Sequence, residues 1–203
     1  MRPAPAEAGP RRRILEATLG CVERQGLGKT SLEDVAHAAG LSRATVYRYF
    51  PGGRDEVISE TIAFEIDRFL VRVAAAVDDA DGVTEKLTIA LVTGHRAIDE
   101  HLLLQQILST EPEALLAELA ESGPQLHDVI CGEITRYLEA ERLRVGVVVT
   151  EAAEYVGRLY LSYIGSQGSF DLSDAAVARE LVRTQFLAGI LADPGPTSGA
   201  PCT

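Results

Sequence analysis

From Arg11, the residues Ile14, Leu15, Thr18, Leu19 and Val22 recur at helical spacing until Gly26 and Gly28 stop the run, which predicts a first helix. Ser31 stands where a helix cap is expected. Asp34 follows at the third helical position in an approximate capping box, and Val35, Ala36 and Ala39 form the apolar face of a short second helix. Gly40 can take the left-handed conformation that a sharp reversal needs, and Ser42 can cap a third short helix that ends at Pro51-Gly52-Gly53. Leu32–Phe50 therefore has the layout of a helix, a tight turn and a second helix that presents arginine and tyrosine outward.

Further along, Ile58, Ile62, Ile66, Phe69, Val73 and Val77 predict one long helix from Arg54, broken at Asp78, Asp79, Asp81 and Gly82. Periodicity resumes from Thr84 through Leu87, Leu91, Ile98 and Leu102, and the apolar cluster Leu102–Leu108 is expected to be deeply buried. Glu111-Pro112 and Ser122-Gly123-Pro124 are read as breaks flanking a short helix with Leu115, Leu116 and Leu119. A further helix carries Leu126, Ile130, Ile134 and Leu138. The β-branched run Val145–Val149 has no second run to pair with and is expected to be a buried connection or a helix start. Two last helices are expected over about 150–166, with Gly157 and Gly165 allowing close approach, and about 173–192.

The chain is thus expected to be all-α, in four parts. These are a disordered arm (1–10), a helix-turn-helix head (11–53), a helical body (54–193) joined to the head by the long helix, and a disordered tail (194–203).

Charge changes this picture. The 203 residues carry a net charge of −11, which by itself argues against a phosphate-binding partner. Yet residues 1–54 hold nine basic side chains against five acidic ones, whereas the remainder holds 10 basic and 25 acidic. A mildly basic head sits on a strongly acidic body, as suits a protein that meets a polyanion at one end. Cys21, Cys131 and Cys202 are odd in number and widely spaced, which fits a reducing cytoplasm better than a disulfide framework. Glu16 and Glu23 interrupt the apolar run behind the arginines, so neither a signal peptide nor a membrane span is expected.

The segment Leu32–Phe50, followed by PGGRDEVI, resembles the DNA-binding end of TetR-family transcriptional regulators. The packing positions of that pattern are Ala36, Gly40 and Val46, and Tyr47 and Phe50 supply its closing Tyr-x-x-Phe. The resemblance covers roughly residues 11–60. It implies a homodimer that reads a palindromic operator in double-stranded DNA, pairs through the last two helices and encloses a small-molecule effector in each body. Repression by occlusion is the simplest mode.

Within the head, Arg43 is expected to read guanine O6 and N7. Ala44 and Tyr47 would contact thymine methyls, or Tyr47 a phosphate. Ser31, Ser42, Thr45, Arg48, Tyr49, Arg54 and Lys29 are candidates for holding the backbone. Tyr49 could instead be a core residue, Arg54 a partner of its acidic neighbours and Arg43 a solvated charge. The chain departs from the family pattern where Pro51-Gly52-Gly53-Arg54 is one residue longer and carries Arg for the usual Lys. Glu33 stands where some members place a base-reading arginine. Arg11, Arg12 and Arg13 could reach DNA as an arm, although solvated disorder is expected of them.

In the body, an apolar effector site is expected between the helices holding His95–Leu108, Leu126–Leu138 and Val156–Ile164. His101, Gln105, Cys131, Tyr137 and Tyr163 are the candidate contacts, each of which could equally be a packing residue. Few basic residues lie in these helices, so the effector is expected to be neutral or cationic and largely apolar. His127 and Cys131, four apart beside Asp128, raise the alternative of metal sensing, but two ligands do not make a site and no metal is expected. Without a nucleophile elbow, phosphate loop or paired-carboxylate site, neither an enzyme nor a cofactor is expected. A helical interaction module without DNA binding remains as a third class.

Overall fold

A computed structural model of the chain describes residues 9–166 and 168–192, with side chains for all of these except 114–122. Most of the expected arm and the whole expected tail lie outside the described residues. Gly9 and Pro10 do not belong to an arm: Gly9 caps the first helix and Pro10 opens it, where a missing N–H costs nothing.

Nine α-helices follow among the described residues: α1 (Pro10–Gln25), α2 (Leu32–Ala38), α3 (Arg43–Tyr49), α4 (Arg54–Val77), α5 (Gly82–Asp99), α6 (Leu102–Thr110), α7 (Pro112–Glu139), α8 (Val149–Gly165) and α9 (Ala175–Leu181). A π-helical turn, Val182–Phe186, continues α9. No strand is present among the described residues, and the all-α expectation holds.

The chain forms two compact units. The first contains the described residues up to Val71 together with Asp99–Pro124; the second contains Arg72–Ile98 and the described residues from Gln125 onward. The unit that carries α1–α3 therefore extends beyond residue 53 and includes α6. Its core has two clusters. Ile14, Leu15, Val35, Ala36, Val46 and Phe50 fill the space among α1, α2 and α3. Val22, Leu27 and Ile58 pack with Leu103 and Ile107 of α6.

Several expectations change. The stretch expected as one helix from Thr84 breaks at Glu100–His101, and α6 starts afresh under the His101 ring, whose Nδ1 accepts the Leu104 N–H at 3.1 Å. Only Leu103 and Ile107 of its apolar run are buried; Leu102 is 82% exposed and Leu108 is also exposed, because a nine-residue helix buries one stripe. Ser122-Gly123-Pro124 does not break α7, which runs through Pro124. Val149 does start α8, but Val145 is fully exposed and Val148 half-exposed, so the valine run is not a buried connection. Strand-like pairing forms just before it: Leu143 bridges Leu191, the Arg144 N–H donates to Ile190 O, and the Ala192 N–H to Arg142 O.

In the second unit, Tyr160 of α8 is buried and donates to Ala90 O of α5 at 3.2 Å. Gly157 permits the expected close approach, since a Cβ there would lie 2.8 Å from Cys131 Sγ; at Gly165 a Cβ would meet nothing within 4 Å. Glu141 caps α5 by accepting the Val83 N–H at 2.8 Å.

Candidate nucleic-acid interface

The turn between α2 and α3 is built as the residue types require. Gly40 sits at φ +63°, in the left-handed region, and its neighbour Leu41 returns an N–H to Ala36 O. At the start of α2, Ser31 Oγ accepts the Asp34 N–H at 3.2 Å while the Asp34 carboxylate accepts the Ser31 N–H at 3.1 Å, completing the capping box. At the start of α3, Ser42 Oγ accepts the Thr45 N–H at 3.1 Å. Val46 and Phe50 are wholly buried and fix the roll of α3. The opposite face consequently presents Arg43, Ala44, Tyr47 and Arg48, all exposed.

Arg43 and Tyr47 lie one turn apart on that face. The guanidinium sits 5.6 Å from the Tyr47 ring centre, and Arg43 Nη2 donates to Tyr47 Oη at 3.4 Å. The phenol contact and then the charge of Glu33 raise the Arg43 pKa further, so its cationic form is secure. Arg48 stacks over Tyr49 at 5.2 Å, and Tyr49 is half-buried against the head core, which supports its packing role.

The structure gives two expected DNA contacts, Ser31 and Arg54, other work. The Ser31 hydroxyl and amide both donate to the Asp34 carboxylate, and a phosphate brought to Ser31 would meet that negative charge. These hydrogen bonds from Ser31, followed by one from Gln25, hold the Asp34 carboxyl below the usual carboxylate range. Arg54 turns toward the α1–α2 loop, donating from Nε to Thr30 O at 2.8 Å and from Nη2 to Leu27 O at 2.7 Å. It also pairs with Asp55, the neighbour the sequence suggested. Arg11 and Arg13 are neither an arm nor solvated disorder. Arg11 pairs with Glu60 at 2.8 Å and covers Phe50, and Arg13 donates to Ala39 O at 2.6 Å at the C-terminal end of α2. Lys29 is exposed in the loop leading to α2.

The five candidate effector residues fall in different units. In the first, His101 caps α6, with Nε2 3.6 Å from Glu65, and Gln105 is exposed one turn on. The His101 bond, ahead of the one from Arg68, lowers the Glu65 pKa. In the second, Tyr163 packs on Phe170 and Phe186, and Tyr137 lies under Lys86 Nζ. Cys131 Sγ is 3.6 Å from His127 Nε2, so the pair does come together, but no group of three His, Cys, Asp or Glu able to hold a metal forms among the described residues. Burial is the main cause that raises the Cys131 thiol. No helix among the described residues is long and apolar enough to cross a membrane.

A residue missed by sequence reasoning is Glu111, which reads along the chain only as part of a break. Its carboxylate accepts the N–H groups of Leu27 and Gly28 at 3.1 and 2.6 Å. The Gly26-Leu27-Gly28 spacing was the available signal.

Residues 14–61 match the model of a family described as bacterial regulatory proteins, tetR family. An HTH-type transcriptional regulator of Mycobacterium bovis is 32% identical over 185 residues, covering 88% of this chain and 93% of that protein. Another, from Mycobacterium tuberculosis, is 29% identical over 153 residues and covers 74% of this chain; the match spans 65% of that relative's length. Among solved structures, the TetR-family repressor AlkX of Dietzia sp., implicated in biodegradation of n-alkanes, shares the fold at a TM-score of 0.64 and 19% identity over 89% of this chain and 97% of its own. This chain belongs to the TetR family of DNA-binding transcriptional regulators.

Proposed function

We propose that the protein is a ligand-responsive repressor that binds a palindromic operator as a homodimer and is released by a small, largely apolar molecule held in the C-terminal body. The observation that carries the DNA half is the exposed pair Arg43–Tyr47, one turn apart from the start of α3 and held outward by the fully buried Val46 and Phe50. The first turn of such a helix enters the major groove. There Arg43 pairs with guanine O6 and N7, and Ala44 and Tyr47 meet thymine methyls. Ser42, Thr45, Arg48 and Lys29 are the phosphate contacts this arrangement favours, because Ser31 is bonded to the Asp34 carboxylate, which repels phosphate, and the Arg54 guanidinium is turned onto the carbonyls of the α1–α2 loop.

Pairing uses the last two helices. Tyr155 of α8 is half-exposed and donates to Gln185 O in the π-helical turn at 3.0 Å, which joins these elements into one surface. The effector is neutral or cationic, given the few basic residues of the body; Cys131, Tyr137 and Tyr163 are its candidate contacts there, and the n-alkane link of AlkX suits an apolar molecule. Occlusion of a promoter is the simplest way for so small a protein to act.

The test is selection of duplexes from a random library, followed by titration of the parent and Arg43→Ala. The parent should prefer a two-fold symmetric site over a half-site, and its binding should weaken as salt rises. Arg43→Ala should lower specific affinity roughly 5- to 150-fold and relax preference at one guanine position. Equal binding by both proteins sinks the assignment of α3.

A further inference from the structure

We infer that Glu111 is a positioning residue for DNA reading: its carboxylate, working with Arg54, clamps the Gly26–Thr30 loop that sets the start of α2 and so the placement of α3. The inference rests on the DNA-binding reading above. The loop is held by two charges of opposite sign, each on the backbone groups it can satisfy. Glu111 takes the amides of Leu27 and Gly28, and Arg54 donates to the carbonyls of Leu27 and Thr30. Both are charge-assisted bonds, stronger than bonds between neutral groups. Thr30 Oγ1 closes the loop by donating to Gly26 O at 2.8 Å, and Ser31 follows at once as the α2 cap.

The sequence provides for the carboxylate on both sides. Glu111 is the C-cap of α6, its N–H bonded to Ile107 O at 2.8 Å, and Pro112 after it disfavours the helical conformation at Glu111, whose backbone leaves the helix at φ −139° and ψ 49°. Leu103 and Ile107 anchor α6 against Val22, Leu27 and Ile58, which brings the helix end to the loop. On the loop side, a Cβ at Gly26 would collide with Glu111 Oε1, and one at Gly28 would lie 2.9 Å from Oε2. Gly26 also has φ +89°. These glycines leave room for a carboxylate and expose amides to it, a cradle suited to a fixed anion.

A negative charge beside a DNA-reading head opposes phosphate binding if it is a bystander, so the sign of its removal is informative. Four proteins are compared: the parent, the isosteric Glu111→Gln, Gly28→Ala, which displaces the carboxylate while keeping its charge, and the double variant that combines the two. In the free full-length chains, amide hydrogen exchange at Leu27 and Gly28 should speed up roughly tenfold or more in both variants, with Cys21 in α1 unchanged. On a selected duplex, both should bind roughly fivefold or more weakly, the double variant no worse than about the weaker single one, with the salt slope unchanged.

Unchanged exchange in both variants overturns the clamp. Faster exchange with unchanged or tighter DNA binding leaves Glu111 a purely structural group and overturns positioning. A parent that binds no duplex overturns the DNA-binding reading and this inference with it, whereas variant-specific failure leaves that reading standing.

Discussion

Replacing Gly94 with alanine should destabilise the protein, although alanine is the better helix former. Gly94 lies inside α5 and is buried, and a Cβ there would sit 2.6 Å from Tyr160 Oη and 3.0 Å from Ile164 Cγ2. Tyr160 cannot swing away cheaply: it is 4% exposed, and its hydroxyl is bonded to Ala90 O. Overpacking of this kind costs about 1–3 kcal/mol, and displacing the buried hydrogen bond costs about 1 kcal/mol more. Helix propensity returns about 0.8–1.0 kcal/mol. The net loss is roughly 1–3 kcal/mol.

Gly132→Ala is the control. Gly132 is exposed inside α7 with nothing within 4 Å of a Cβ, so only the propensity gain of about 0.8–1.0 kcal/mol remains. The same chemical change thus has opposite signs at two helical sites. Urea unfolding followed by far-UV circular dichroism reads both as shifts in midpoint. Adding Tyr160→Phe to Gly94→Ala removes the atom the methyl meets first and should restore part of the loss, a coupling of about 0.5–3 kcal/mol. A Gly94→Ala protein as stable as the parent refutes the close packing of α5 on α8.

Two further outcomes concern charge. Burial, and secondarily the neighbouring Tyr137, raises the Tyr160 phenol above its ordinary value of 10.0, so the native chain keeps a proton that the unfolded chain releases. Stability from this source is full below pH 10 and falls as pH rises beyond it; Tyr160→Phe should flatten that decline in alkaline unfolding curves, and an unchanged decline counts against it. Arg54→Gln should weaken operator binding without changing the slope of log affinity against log salt, because Arg54 holds the loop; a slope shallower by about 0.9 per head would restore its expected phosphate contact.

Much of the head was legible in the sequence because its determinants are local. Ser31 with Asp34, Gly40, and Ser42 with Thr45 act within a few residues of themselves, so spacing alone places α2, the turn and α3. Elsewhere the deciding partner is distant or the local signal misleads. A histidine cap at His101 leaves no glycine or proline to mark the break before α6. Pro124 reads as a stop, yet the buried stripe Ile130, Ile134 and Leu138 keeps the C-terminal part of α7 ordered. The carboxylate of Glu111 acts on amides more than 80 residues away, and Arg54 on carbonyls 24 and 27 residues away; no periodicity reports such pairs.

The same distant pairs revise the electrostatics of DNA binding. Counting side chains gives the head a surplus of four positive charges, but Arg11, Arg13 and Arg54 are already committed to Glu60, Ala39 O and the α1–α2 loop. Lys29 in the α1–α2 loop and Arg43 and Arg48 on α3 remain exposed. With one of these reading a base, phosphate contacts per head are few, and each contributes a salt slope of only about −0.9. One head should therefore bind random DNA poorly. In the proposed homodimer, affinity comes from two heads engaging half-sites about one helical turn apart, which makes the angle of α3 decisive. Glu111 and Arg54 matter for that reason: by fixing the loop before α2 they set the geometry on which so small a charge surplus depends.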